Sequence, residues 1–394
     1  MARDFFISLY LSVFSIIFNI FKIFPQKKKT VFVASFGDNI LFTLKELERQ
    51  AEDQVVILKT SQCKTDFGSE RLTLDFETAN ILDWFRSVYH LATSRKVIVD
   101  NYFAFLAVTN FSANVKCVQL WHAAGAIKQF ALKDPSVENR TAAAYKRFRR
   151  VYNRFDHVAV GSERMAAIFR ESFEINNDRI LRSGIPRTDF FFDDAKIKQA
   201  KKLVVTEYPA MHGKKVILYA PTYRDDELNV SELHLNIDKM YRAFKGEYIL
   251  MLRLHPAVNG SFQNKYPGFV VNVSSYANIN HLLVTTDILI TDYSSIPFEF
   301  ALLNRPMIFF AYDQEVYAKS RGFWEDYEVL VPGPVVKTTR QVIDIICNGK
   351  YDLERIQRFA ETWNQYSNGK SSEKLVHSLY REHANVKSVV KAQS

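Results

Sequence analysis

Cysteine is scarce in this 394-residue chain: Cys63, Cys117 and Cys347 lie far apart, with no Cys-x-x-Cys pair. That excludes a disulfide framework and a structural zinc site, and fits a reducing compartment. Also missing are a Gly-x-x-x-x-Gly-Lys-Ser/Thr loop and a Gly-x-Gly-x-x-Gly fingerprint, so ATPase and dehydrogenase readings lack their phosphate cradles. No Gly-x-Ser-x-Gly elbow or His-Glu-x-x-His pair marks a serine hydrolase or a zinc protease. Without an internal repeat, a low-complexity tract or a Pro- or Gly-rich linker, repeat arrays and disordered tethers drop out as well. No cofactor and no metal are expected.

What remains is a globular composition, 47% hydrophobic and 14% aromatic with 32 Phe, too long for one ordinary core. Lys and Arg outnumber Asp and Glu by 52 to 43, a formal charge of +9. The partner should therefore be anionic: nucleic acid, a membrane surface or a phosphorylated substrate.

Residues 5–24 are strongly apolar. Within them Ser8, Ser12, Ser15, Asn19 and Lys22 recur at spacings of four and three, which puts the polar residues on one helical stripe. With Lys27, Lys28 and Lys29 following, the pattern predicts a helix lying in the membrane interface over residues 1–28; a helix in the protein's own core is the alternative. From residue 29 on, short apolar runs alternate with helical stretches, the mark of a parallel α/β sheet. Strands are predicted at 30–35, 55–58, 96–99, 115–120 and 157–160, then at 216–220, 248–254, 269–271, 287–291 and 306–310. A charged helical section, 193–215, separates the two series. The expected organisation is two Rossmann-type domains, 29–200 and 201–394, facing a cleft, with the last helices packing back.

In open parallel sheets, ligands bind at the carboxyl ends of strands. Four predicted strand ends carry polar or titratable residues: Trp121-His122-Ala123-Ala124-Gly125, Pro221-Thr222-Tyr223-Arg224-Asp225, Arg253-Leu254-His255-Pro256 and Thr291-Asp292-Tyr293-Ser294-Ser295. A neutral His122 could take a proton from an attacking hydroxyl; a core histidine hydrogen-bonded to a loop carbonyl is the plainer alternative. Arg253 and His255 could hold a pyrophosphate, although Arg253 could equally pair with a structural carboxylate. Ser294 and Ser295 open a helix whose amides suit phosphate, and Glu299, one turn on, could accept hydrogen bonds from ribose hydroxyls. The plainer reading makes Ser294 a cap and Glu299 a solvated acid. Gly184-Ile-Pro-Arg187-Thr-Asp189 and Ser320-Arg321-Gly322-Phe323 each present an arginine on a turn. The stretch 140–155, with Arg140, Lys146, Arg147, Arg149, Arg150 and Arg154 among aromatics at helical spacing, predicts one core face and one basic face toward lipid phosphate.

Taken with Lys128, Gly161-Ser-Glu163 and Tyr219-Ala-Pro, these motifs resemble the CDP-glycerol glycerophosphotransferase family of wall teichoic acid synthesis, from about Val31 to the C-terminal helices. Within that family, Asp100-Asn-Tyr-Phe103 and Trp121-His122-Ala with Phe130 nearby look most like the glycerol-phosphate primases. The resemblance implies a GT-B-like fold. It implies transfer of glycerol phosphate from CDP-glycerol to a sugar hydroxyl of an undecaprenyl-diphosphate-linked ManNAc-GlcNAc disaccharide, releasing CMP, at the cytoplasmic face of the cell membrane as a peripheral protein. Catalytic roles fall to His122, as base, and His255. Arg253, Leu254, Ser294 and Ser295 would hold the donor, with Trp121, Ala123, Ala124, Gly125, Arg187, Pro221, Thr222, Glu299 and Arg321 lining its site. Lys128, Arg147 and Arg150 would meet the acceptor or the membrane. Glu299 stands where many relatives have Asp, and Ala123 replaces the Gly usual in the polymerases. Other teichoic acid enzymes are candidate partners, and nucleic acid is not one. Rival readings are a polymerase adding further units, a sugar-nucleotide glycosyltransferase of the same architecture, and a noncatalytic membrane-binding protein.

Overall fold

A computed structural model of the chain describes residues 2–77, 80–222, 224, 233–254 and 263–380. It divides into two compact units. The first opens with α1 (Ala2–Phe21) and continues β1 (Lys29–Ala34), α2 (Asp38–Gln50), β2 (Gln54–Lys59), β3 (Thr73–Asp75), α3 (Ile81–Ala92), β4 (Lys96–Val99), β5 (Lys116–Gln119), α4 (Ala142–Tyr152), β6 (His157–Ala159), α5 (Glu163–Phe173) and β7 (Ile180–Leu181). Its seven strands form one parallel sheet in the order β3-β2-β1-β4-β5-β6-β7. Helices cover both faces, so central strands are apolar without alternation; every residue of β1 is buried.

The second unit holds α6 (Asp194–Glu207), β8 (Lys215–Ala220), α7 (Ile237–Phe244), β9 (Tyr248–Leu252), β10 (Val270–Asn272), α8 (Ile279–Thr285), β11 (Ile288–Thr291), α9 (Ile296–Phe300), β12 (Met307–Phe310), α10 (Gln314–Arg321), α11 (Tyr327–Leu330), β13 (Val335–Val336), α12 (Thr339–Asn348) and α13 (Leu353–Trp363). Its sheet is also parallel, ordered β10-β9-β8-β11-β12-β13. Each of the ten predicted strands has its counterpart within two residues. The edge strands β3, β7 and β13, two or three residues long, were not predicted because a run that short has no periodicity to read.

The boundary falls at Asp189/Phe190 instead of residue 200, and residues 364–380 are grouped with the first unit. The physical reason lies in α14 (Ser371–Tyr380), whose Leu375, Val376 and Leu379 share a core with Ile40, Leu44 and Leu47 of α2. Its N-terminus is capped from far away in sequence: the Asp189 carboxylate accepts the amides of Ser371 (2.7 Å) and Ser372 (2.8 Å). Residues 125–129 in turn belong to the second unit.

α1 is amphipathic in an unexpected sense. Leu11, Phe14 and Phe18 are buried, with Phe14 against Phe105 and Trp84, and part of the polar stripe faces the protein: Ser15 donates to the Val108 carbonyl and Lys22 to that of Asn110. Ser8 and Ser12 are exposed but donate to helix carbonyls four residues back. Beside these and Asn19, the exposed surface of the helix is apolar, including Phe5, Phe6, Leu9, Val13, Ile16 and Ile20. The segment Asp4–Phe21 is long and apolar enough to cross a membrane by length and composition, with mean hydropathy 1.8. Lys29 does not join the basic flank. It is buried at the head of β1, where its amine donates to Thr93 Oγ1 (2.6 Å) and lies 3.1 Å from His90 Nδ1; burial and nearby Lys27 pull its pKa down to about 8.

Removing the cap on α14 tests the return of the C-terminus to the first unit. Asp189→Ala is expected to lower stability by about 1–2 kcal/mol in urea titrations, whereas no change would mean that Ser371 and Ser372 find other acceptors.

Candidate active site

The first unit builds a histidine into its sheet's carboxyl edge. After β5, Trp121 takes a left-handed backbone (φ 58), a conformation that costs a bulky residue energy and needs support on both sides. The support is specific: the Trp121 amide donates to Gln119 Oε1 (2.8 Å), and Asn39 Nδ2 donates to its carbonyl (2.9 Å). The indole is buried among Phe130, Phe169 and Phe173. This turn aims His122 back over the loops. Its ring stacks between Phe36 (4.0 Å) and Trp121 (4.4 Å), and its Nδ1 lies 3.2 Å from the Asp100 carbonyl. A carbonyl only accepts, so Nδ1 carries a proton.

Asp100 acts a second time through its side chain. Its carboxylate accepts the amides of Ser35 (2.9 Å), Phe36 (3.0 Å) and Gly37 (2.7 Å). Burial raises its pKa to about 6, and the three amides pull the other way. The loop after β1 is where a Rossmann unit ordinarily cradles phosphate. Here those amides are filled by the chain's own carboxylate, so the first unit does not grip phosphate there.

The arginine of the Gly184 turn is buried rather than displayed. Gly184 has φ +84, and a Cβ there would lie 2.4 Å from Ser371 Oγ and 2.7 Å from the Tyr366 carbonyl. The Arg187 amide donates to Asn39 Oδ1 (3.0 Å), its guanidinium is 3.9 Å from Asp38, and Asn39 thereby ties this turn to the His122 turn.

In the second unit, adjacent strands β9, β8, β11 and β12 send Arg253, Pro221 with Thr222, Asp292 through Ser295, and Tyr312 with Asp313 from one carboxyl edge. The organiser is Arg224, which sequence analysis noted in its motif without a role. Its guanidinium donates bidentately to Asp313 (2.9 and 3.0 Å) and once to Asp292 (2.7 Å) and lies over the Tyr312, Tyr293 and Tyr317 rings. Asp292 also accepts the Thr222 and Tyr293 amides, Tyr293 donates its hydroxyl to Asp313 (2.8 Å), and Tyr327 donates to the Asp292 carbonyl. Burial raises the Asp292 pKa and Arg224 opposes it.

Lys128, expected at an acceptor or membrane surface, is instead a half-buried member of this network. Its amine is 3.3 Å from the Tyr317 hydroxyl, with its pKa lowered by burial. It is placed there by residues 127–129, which run antiparallel to 322–324: Trp324 donates to the Ile127 carbonyl and Gln129 to that of Gly322. Gly125 sits against Phe298, whose ring would be 2.3 Å from an added Cβ. A glycine is therefore required at that position by close approach.

The stretch read as a phosphate-binding helix start forms as expected, β11 followed by α9, but α9 has only five residues. Ser294 Oγ accepts the Ile296 amide (3.2 Å), while the N-cap position itself is Ser295, whose side chain makes no capping hydrogen bond. Glu299 is not a solvated acid: it is 2% exposed. Arg253 Nη1 donates to the Tyr276 carbonyl (2.8 Å) and Leu254 N to Ser274 Oγ. Arg321 ends α10, exposed. Ala123 and Ala124 are buried, and Arg150 is an exposed residue of α4. His255, Tyr223 and Asp225 lie outside the described residues. Asn39, Asp100, Gln119, Asp292 and Asp313 received no role from the sequence. Only the position of Asp100 in the loop after a predicted strand, and of Asp292 at the end of another, could have pointed to them.

Arg224→Met leaves buried Asp292 and partly exposed Asp313 without their hydrogen-bonded cation and is expected to cost about 3–5 kcal/mol, measured by chemical denaturation. A loss below about 1 kcal/mol would show that water already solvates Asp292 and Asp313.

Comparison with known proteins supports the fold and gives the family. Among solved structures, the wall teichoic acid polymerase TagF superposes with a TM-score of 0.80 at 23% identity, covering 99% of both chains; a UDP-GlcNAc 2-epimerase from Neisseria meningitidis superposes at 0.60 and 16%. Both likenesses establish the GT-B-like α/β fold. The chain is 36% identical over 357 residues to the teichoic acid glycerol-phosphate primase of Bacillus subtilis, covering 89% of this chain and 91% of that protein. It is 35% identical to a teichoic acid poly(ribitol-phosphate) polymerase of Bacillus spizizenii, covering 95% of this chain and 60% of that protein. The profile of the CDP-glycerol:poly(glycerophosphate) glycerophosphotransferase family matches residues 16–381, and the chain is a transferase belonging to that family.

Proposed function

We propose that the protein transfers glycerol phosphate from CDP-glycerol to a sugar hydroxyl of an undecaprenyl-diphosphate-linked ManNAc-GlcNAc disaccharide, the priming step of wall teichoic acid synthesis. The observation that carries this reading is the His122 Nδ1 contact with the Asp100 carbonyl (3.2 Å), which makes that nitrogen the donor and leaves Nε2 as the position for a base. In the proposed step, Nε2 takes the proton of the acceptor hydroxyl as its oxygen attacks the phosphorus that bears glycerol. The new P–O bond forms as the bond to the bridging oxygen breaks, and CMP leaves with that electron pair. Arg253, His255, Ser294 and Ser295 are assigned to the donor phosphates, Glu299 to the ribose, and Pro221, Thr222, Arg187 and Arg321 to the remainder of the donor. The reaction as written requires no metal, because cations and amides spread the charge.

Membrane association belongs to the same proposal. The outward apolar face of α1, with Lys27 and Lys28 exposed just beyond it, suits a peripheral position on the cytoplasmic leaflet, where anionic lipid attracts the lysines. Identity of 35% to a polymerase supports a second reading, in which further units are added. Product length on a defined lipid acceptor separates the two: one glycerol phosphate for a primase, a ladder for a polymerase.

His122→Ala is expected to stay folded by circular dichroism and to lose at least about 100-fold in CMP release from CDP-glycerol with the lipid disaccharide. A folded variant with near-normal turnover removes His122 from its role.

A further inference from the structure

The basic helix α4 is not uniformly solvated, and its cations divide by what they touch. Arg149 pairs with Glu174 (2.8 Å), Arg154 donates to the Leu106 carbonyl, and Lys146 and Arg150 are exposed. Arg147 differs. Its side chain is only 14% exposed, yet its carboxylate partner, Asp4, is 3.8 Å away, too far for a hydrogen bond, and Asp4 also accepts from Thr141 (3.2 Å). Arg140 folds over the Phe148 ring at 4.7 Å. The Tyr102 hydroxyl is buried with no hydrogen-bond partner among the described residues; burial raises its pKa, and the charges of Arg147 and Arg140 pull it back. Tyr102 packs edge-on against Phe148 (5.1 Å) and against Tyr152 (5.9 Å). The acids facing this corner are Asp4 and, beside Tyr152, Asp134.

We infer that this corner, formed by the first turn of α1, the Arg140 and Arg147 side chains and the Tyr102 loop, binds the diphosphate of the lipid-linked acceptor. The inference rests on the transfer reading for the identity of the acceptor. Two features commit it to a lipid diphosphate instead of a soluble phosphate. First, the planar guanidinium forks of two arginines and a phenol match adjacent phosphate oxygens better than a point charge would. Second, the residues that follow Asp4 on α1 are apolar and outward: Phe5 is 65% exposed, Phe6 66% and Leu9 52%. Tyr10 receives a hydrogen bond from Trp84 of α3 (3.1 Å), and α3 adds exposed Ile81 and Leu82. An anionic head joined to a long hydrocarbon chain uses both halves; a free nucleotide or sugar phosphate uses only one. The Tyr102 loop also connects this corner to the base: Asp100, two residues earlier, holds His122 through its carbonyl. A head group anchored at Tyr102 thus has its sugar presented along the loop that positions His122.

The test is flotation of the full chain with phosphatidylcholine vesicles carrying a polyprenyl diphosphate, a polyprenyl monophosphate or phosphatidylglycerol at matched charge. The wild type is expected to favour the diphosphate. Arg147→Gln and Arg140→Gln should each lose about tenfold of that preference while keeping phosphatidylglycerol binding, which also reports that they are folded. Tyr102→Phe preserves the packing and should lose less. In turnover, the same variants should raise KM for the lipid acceptor and leave KM for CDP-glycerol within about twofold. Equal binding of all three vesicles by the wild type, or variants that keep the preference, overturns the assignment and leaves Arg147 a general contact for anionic lipid. Because flotation needs neither donor nor turnover, selective diphosphate binding without CMP release would refute the transfer reading alone.

Discussion

One buried aspartate holds the first unit's chemistry together. The Asp100 side chain gathers the amides of Ser35, Phe36 and Gly37, and its carbonyl fixes the imidazole of His122. Each function depends on the other, since Phe36, held by the carboxylate, is the ring that stacks on His122. The same arrangement explains why a sheet of Rossmann type lacks a glycine-rich phosphate loop. Its amides have an internal acceptor, which converts a customary anion cradle into a platform for a base.

The second unit solves a different problem, that of burying charge without leaving it unpaired. Two cations, Arg224 and Lys128, face two acids, Asp292 and Asp313, among the tyrosines 293, 312, 317 and 327. A network of this kind is stabilising only when every member is satisfied, and it then holds loops in one arrangement. What it holds are the ends of β8, β11 and β12, including the Thr222 amide and the turn leading to Ser294. The residues assigned to the donor are therefore supported by groups that need not touch it.

Much of this architecture was legible in the chain. Buried parallel strands read as short apolar runs, and the polar residues at their ends marked where His122, Thr222, Arg253 and Ser294 emerge. The partners were not legible. Nothing local to Asp189 says that it caps a helix 182 residues later, and nothing around Lys128 says that its segment leaves one unit for the other. Lys29 stood in a run of three lysines, and only the position of β1 turns it inward. The helical stripe on α1 was correctly periodic, but periodicity cannot say which face meets the protein, and here Ser15 and Lys22 do while much of the apolar surface faces out. Local pattern specified elements; long-range pairing specified their use.

The account depends most on the protonation pattern of one ring. Nitrogen-15 NMR of histidine-labelled protein near neutral pH, with the His122 signals identified by their loss in His122→Gln, reads that pattern directly. The contact with the Asp100 carbonyl predicts a protonated Nδ1, and the proposed role as base predicts an unprotonated Nε2. A proton on Nε2 in the neutral ring would contradict it, because the lone pair would then point at a carbonyl and the base would be unavailable to an acceptor hydroxyl.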